Sequence, residues 1–280
     1  MYIEKNKRPS LIFFQYATIT LLFAGLFYDS LVELFQIWID NSNNSHGMLV
    51  PFISFYLIWL KREKLNRNRF VGCNFGFVVI IFSLLFYVFG IVADIGFVRR
   101  LMIIGVIIGL VLFNGGKSLF KEIVFPLFFL VFMVPVPDSL ILMISFPLQL
   151  FATKVSYFFI QTFGIPAYRE GNMIYFATTQ LEVAEACSGI RSISAYTMLS
   201  FLFAYLLRNK KYGSIIIIMA IPLAIIVNII RVTGTGVLAH FFGGDVARGF
   251  LHEFSGMVVF LAGFLIMAFL YKVFTKKEQI

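Results

Sequence analysis

The chemistry-bearing residues are concentrated in three short stretches of an otherwise apolar chain. The first is Glu185-Ala-Cys187-Ser188-Gly189-Ile-Arg191-Ser, at the entrance to an apolar run that reaches Leu207. The second is Asn228-Ile-Ile-Arg231-Val, and the third is His252-Glu-Phe-Ser-Gly256. A thiol, a guanidinium and an imidazole supply a nucleophile, an anion stabiliser and a general acid/base. Histidine takes and returns a proton near neutral pH, and arginine is always charged and can hold a thiolate or an oxyanion. The run after Gly189 predicts a membrane helix from about Ser188 to Leu207, with Cys187 at about its first turn. The partial positive charge of a helix N-terminus favours the thiolate and lowers a cysteine pKa from about 8.5 to as low as about 3.5 to 7.5. The plainer reading is that Cys187, Ser188 and Gly189 are small residues that let helices pack closely in lipid.

Composition decides what must position these groups. Hydrophobic residues make up 60% of the 280, and charged residues only 13%. No soluble core hides that much apolar surface, so the chain reads as an all-α polytopic membrane protein, a single integral membrane domain over residues 1–280. Lys and Arg number 23 against 14 Asp and Glu. The basic residues fall in short clusters between apolar runs and form no stripe, so anionic lipid head groups are the expected counter-charge and nucleic acid is not a partner. The 36 phenylalanines are lipid-facing bulk. Two cysteines, Cys73 and Cys187, are too few for a disulfide framework.

At about 20 apolar residues per crossing, eight spans are predicted, at about 11–27, 48–60, 72–92, 101–113, 123–134, 188–207, 214–230 and 253–271. Asp29 to Asn44 carries Leu31, Leu34, Phe35 and Trp38 at helical spacing, which predicts a short interfacial helix. Ser139 to Phe163 is laid along, or partly into, the outer interface as well, because making it a span would force Arg169, Glu170, Glu182 and Glu185 back across hydrocarbon. Gly171 to Val183 holds two β-prone runs around Ala177-Thr-Thr and predicts a small outer hairpin. With this arrangement 16 of the 23 basic residues lie on one set of loops and 5 on the other, with Arg191 and Arg231 in helix ends. That asymmetry places both termini in the cytoplasm, and Cys187, Arg231 and His252 together on the outer face of the cell membrane.

The three stretches resemble the signature blocks of exosortases and archaeosortases. The resemblance extends to Ser45-His46-Gly47 and to Val134-Pro-Val-Pro137, and so covers most of the chain. It implies a membrane-embedded cysteine protease/transpeptidase acting on C-terminal sorting tails of exported proteins, each with a short signal (Pro-Glu-Pro in the bacterial type), a transmembrane helix and a basic end. Envelope glycans or lipids are then the implied acceptors, and no cofactor is required. By matching blocks, Cys187 resembles the nucleophile, Arg231 the charge stabiliser and His252 the acid/base.

Accessory candidates are Arg191, His46, Glu185, Ser188 and Asn228. Arg191, one turn beyond Cys187, is the alternative guanidinium; Arg231 is preferred because its block matches the family position. Ser188 is a weaker nucleophile, since a hydroxyl needs an adjacent base. His46 either caps the helix it precedes or lines the site. Glu182 and Glu185 orient the histidine, bind substrate or cap a helix. His240 reads as an interfacial loop residue. Zinc held by Cys187, His252 and His46 lacks any paired metal spacing, and no metal is expected. The competing class is a transporter or a non-catalytic membrane scaffold, in which Gly234-Thr-Gly236 would break a helix.

Overall fold

The computed structural model describes residues 9–41, 43–67, 70–183, 189–243 and 250–278. The described chain is mostly helical and divides into two compact units, Met1–Val136 and Pro137–Ile280. Among the described residues five helices are long and apolar enough to cross a membrane, or six if a bent pair near the N-terminus forms one span.

The first unit holds α1 (Pro9–Leu26), α2 (Tyr28–Asp40), α3 (Val50–Leu60), α4 (Arg62–Arg67), α5 (Phe75–Val92) and α6 (Gly96–Phe129). Between α1 and α2 the chain bends by 69°. The bend is fixed by Phe27, which is fully buried with its ring 4.7 Å from that of Tyr87, edge to face. The helix expected within Asp29 to Asn44 is present as α2, and its Glu33 takes ion pairs from Arg99 at 3.3 Å and Arg100 at 2.7 Å. A helix of 34 residues is about 51 Å long, well beyond a hydrocarbon core of about 30 Å. In α6 the helix is interrupted at Gly116, whose φ of 65° is open only to glycine at low cost. The residues before Gly116 lie along α5, with Gly105 against Ser83 and Gly109 against Ile80.

The residues after Gly116 lie along α3. Pro126 has no N–H to offer the carbonyl four residues back, and that carbonyl, on Glu122, accepts instead from Lys61 Nζ at 2.5 Å. Ser54 Oγ donates to the Pro126 carbonyl at 2.6 Å, and Trp38 Nε1 donates to that of Met133 at 3.0 Å.

The second unit holds α7 (Asp138–Thr162), a small sheet, α8 (Ile190–Leu206), α9 (Lys210–Phe242) and α10 (Phe250–Glu278). The stretch from Ser139 onward lies in one continuous helix, Asp138–Thr162, apolar enough to cross a membrane. Its polar Gln149, Thr153 and Ser156 are buried against protein, which is how such a helix carries them. The hairpin expected around Ala177-Thr-Thr is β2 (Met173–Phe176) paired antiparallel with β3 (Gln180–Glu182). A further strand, β1 (Ala167–Glu170), makes it three-stranded in the order β1-β2-β3, turning at Gly171 with φ 57°. Ile174, Phe176 and Leu181 of the sheet pack with Ile160 of α7 and Ala239 of α9. A second cluster joins Tyr196 of α8, Ile216, Ala220, Leu223, Ala224 and Val227 of α9, and Met267 of α10.

Two sequence expectations are corrected here. Arg231-Val-Thr-Gly234-Thr-Gly236 does not end a helix or break one; α9 runs unbroken to Phe242. Gly236 is there because Ile160 packs against its bare backbone, where a Cβ would lie 2.6 Å from Ile160 Cδ1. For the same reason His240 is helical, with its ring 6.0 Å from that of Phe176.

Candidate functional site

The site is built on one turn of α9. Asn228 is 3% exposed and sits three residues before Arg231 in the same helix. Gly189 packs directly on it: a Cβ at position 189 would lie 3.1 Å from Asn228 Cγ and 3.2 Å from Nδ2. Gly189 is left-handed, with φ 87°, and forms the N-cap of α8. Both its conformation and its neighbour therefore require a residue without a side chain.

One turn on, Val232 packs against Val183, the two forming a small buried cluster of their own. The Val183 carbonyl accepts from the side-chain amides of Gln149 on α7 and Asn172 in the β1–β2 turn, and Val183 N donates to the Asn172 carbonyl at 3.0 Å. Val183 is the last described residue before the segment that carries Glu185, Cys187 and Ser188, and Gly189 is the first one after it. The two ends of that segment are thus fastened to positions 232 and 228 of α9, one helical turn apart.

Arg231 lies between these anchor points in sequence. Its guanidinium rests against the backbone of Gly256 in α10, where a Cβ would be 3.5 Å from Arg231 Cζ and 3.6 Å from Nε. The Nε atom is buried. Thr235, one turn further along α9, donates its hydroxyl to the Arg231 carbonyl at 2.9 Å. His252 lies in the first turn of α10, four residues before Gly256. The α10 helix is held to α8 by Tyr196, whose hydroxyl donates to the Phe260 carbonyl at 2.9 Å and whose ring packs on Gly263.

Contacts among described residues therefore join the three chemistry-bearing stretches: the first meets the second at Gly189 and Asn228, and the second meets the third at Arg231 and Gly256. Cys187, Glu185 and Ser188 lie outside the described residues. The helix that follows them begins at Ile190, slightly later than the sequence reading of Ser188. Arg191 is exposed in its first turn, and its expected one-turn relation to Cys187 falls on an undescribed residue.

A family model of the transmembrane exosortase matches residues 38–269, most of the chain. The chain belongs to the transmembrane exosortase family. Among curated proteins and solved structures nothing matches it. The matched region of this exosortase family member takes in His46 at one end and His252 at the other.

His46 belongs to the first unit and is described within it. It lies in a 3-10 turn, Ser45–Leu49, ahead of α3. Its ring is largely withdrawn from water, which pushes its pKa below the usual histidine value, opposed in part by a hydrogen bond to the Asn43 backbone. The next residue, Gly47, is held by the Trp38 indole, at 2.5 Å from a would-be Cβ, and by the Met133 carbonyl.

Sequence reasoning passed over Gln149, Asn172 and the role of Gly256, and read Gly189 only as a small residue that lets helices pack closely. Two of these had a readable signal. A glycine one turn after His252 in a helix, and a glycine just before an apolar helical run, both mark places where something approaches the backbone closely.

Proposed function

We propose that this exosortase family member is a membrane cysteine protease/transpeptidase that cleaves C-terminal sorting tails of exported proteins through a thioacyl intermediate. The observation that carries the reading is the pair of contacts Gly189–Asn228 and Arg231–Gly256, because it gathers the three stretches that hold a thiol, a guanidinium and an imidazole. Family membership supports a membrane sorting enzyme as the setting.

In this mechanism the Cys187 thiolate attacks the scissile carbonyl carbon. The C–O π bond opens to an oxyanion, which Arg231 and backbone N–H groups at the start of α8 stabilise. Collapse breaks the C–N bond while His252 gives a proton to the departing amine, leaving a thioester on Cys187. Water, or an amine or hydroxyl of an envelope glycan or lipid, then attacks the thioester, losing its proton to His252 and regenerating the thiolate. Arg191 is the reserve guanidinium, Asn228 holds the segment that bears the nucleophile, and Glu185 and Ser188 are accessory.

The same proposal places the protein in the cytoplasmic membrane with both termini inside and the site on the outer face. Eight crossings are counted as α1, α3, α5, the two parts of α6 on either side of Gly116, α8, α9 and α10, with α7, although apolar enough to cross, laid along or partly into the outer interface. The distribution of 16 basic residues against 5 supports it, as does the length of α6.

The deciding experiment follows processing of an anchored tail in membranes by wild type, Cys187→Ala, Arg231→Ala and His252→Ala at matched expression, with mass spectrometry of any acylated enzyme. Loss in all three, with an acyl group trapped only where the thiol survives, is expected. Normal processing by Cys187→Ala would leave a carrier or scaffold instead.

A further inference from the structure

We infer that Gln149 is a positioning residue for the nucleophile-bearing segment, acting through the carbonyl of Val183. The inference rests on the cysteine protease reading and adds a residue that lies outside all three signature stretches.

Gln149 is 7% exposed in α7, a helix with the length and apolar character of a membrane span. A buried carboxamide there is costly unless its hydrogen bonds are made. The bond it makes is not to a neighbouring side chain but to a backbone carbonyl 34 residues away, on the last described residue before Glu185, Cys187 and Ser188. Asn172 donates to the same carbonyl at 3.4 Å, and also accepts from Val183 N through its own carbonyl. Val232 closes the side-chain face of Val183.

Position 183 is thus fixed by groups from α7, from the sheet and from α9, and α9 is also the helix of Arg231. Helix α7 is itself keyed to α9, with Ser156 Oγ donating to the Ile229 carbonyl at 3.3 Å. Two polar amides converging on one carbonyl exceed what chain continuity needs. They set the direction in which the chain leaves the sheet, and catalytic groups misplaced by about 1 Å can lose about 10²-fold in rate.

The test uses the full-length protein in membranes, with tail processing as the assay and a Cys73→Ala background so that alkylation reports on Cys187. Gln149→Leu keeps the side-chain bulk and removes the donor; it is expected to lower kcat at least tenfold with KM within about twofold. Gln149→Glu separates positioning from packing. Its ionised carboxylate offers Val183 no proton, whereas the protonated acid does, so its activity relative to wild type should rise on acidification. Should Gln149→Leu fail to accumulate, Asn172→Ala removes the second donor from a turn position and should show the same loss in kcat. Wild-type kcat in these variants, or a change in KM alone, would overturn the inference if Cys187→Ala is inactive. Full activity of Cys187→Ala would overturn the protease reading itself.

Discussion

Gly189 lies flat against the buried side chain of Asn228, with a Cβ at 189 only 3.1 Å from Asn228 Cγ. This contact fixes the exit of the segment that carries Cys187, and with the left-handed backbone it makes Gly189 an exacting position. Replacement by alanine meets two penalties at once. The left-handed backbone, at φ 87°, costs about 1 kcal/mol or more for a residue with a Cβ, and the new methyl must push Asn228 aside. Gly189→Ala is expected to reduce tail processing at least tenfold and to lower the melting temperature in detergent. The double variant Gly189→Ala/Asn228→Ala should recover only part of the stability, because the backbone term remains.

Gly256 behaves differently because its φ is helical and its neighbour is a flexible guanidinium. At 3.5 Å from Arg231 Cζ, an added Cβ is in ordinary van der Waals contact. Gly256→Ala should therefore process tails at close to the wild-type rate. Gly256→Leu should displace the Arg231 guanidinium and abolish processing while leaving Cys187 open to alkylation. Equal activity in the two variants would show that Arg231 does not act from this position.

The difference between these glycines explains how far the sequence could be read. Continuous apolar runs made α5 and most of α9 legible, since nothing but hydrocarbon suits Phe75–Val92. Ala177-Thr-Thr between β-prone runs located the β2–β3 hairpin. The strand β1 was missed because Arg169 and Glu170 read as charged interface, although Arg169 folds back to donate to the Gly171 carbonyl. The end of α9 was missed because hydropathy falls at Arg231, and hydropathy does not report that Ile160 and Leu181 shelter the turns beyond it. Gln149 was invisible for a further reason: its partner is a backbone carbonyl, and backbone carbonyls carry no sequence pattern.

His46 gives the first unit a pH dependence whose sign follows from its burial. Burial favours the neutral ring and lowers the folded pKa below the ordinary 6.5. Above pH 6.5 the ring is neutral in both states and costs nothing. As pH falls through 6.5 the unfolded chain takes up a proton that the folded chain does not, so stability falls until the folded ring also protonates. Thermal unfolding between pH 8 and pH 5 should show a loss on acidification that His46→Gln reduces. An identical pH profile in the variant would mean that the ring does not titrate differently on folding.

Lys61 and Lys64 both meet Glu122 and should differ sharply when mutated. Lys64 forms an ion pair at 2.8 Å with its side chain 62% exposed, and such exposed pairs contribute about 0–1 kcal/mol after screening. Lys61 instead satisfies the Glu122 carbonyl that Pro126 leaves without its helical partner. Losing a charged donor from such a carbonyl costs about 1–3 kcal/mol. Lys61→Met, which keeps the length and removes the ammonium, is expected to lower the melting temperature by several degrees, while Lys64→Met should barely change it. The contrast should survive high salt, since a hydrogen bond to a backbone carbonyl is screened less than an exposed ion pair.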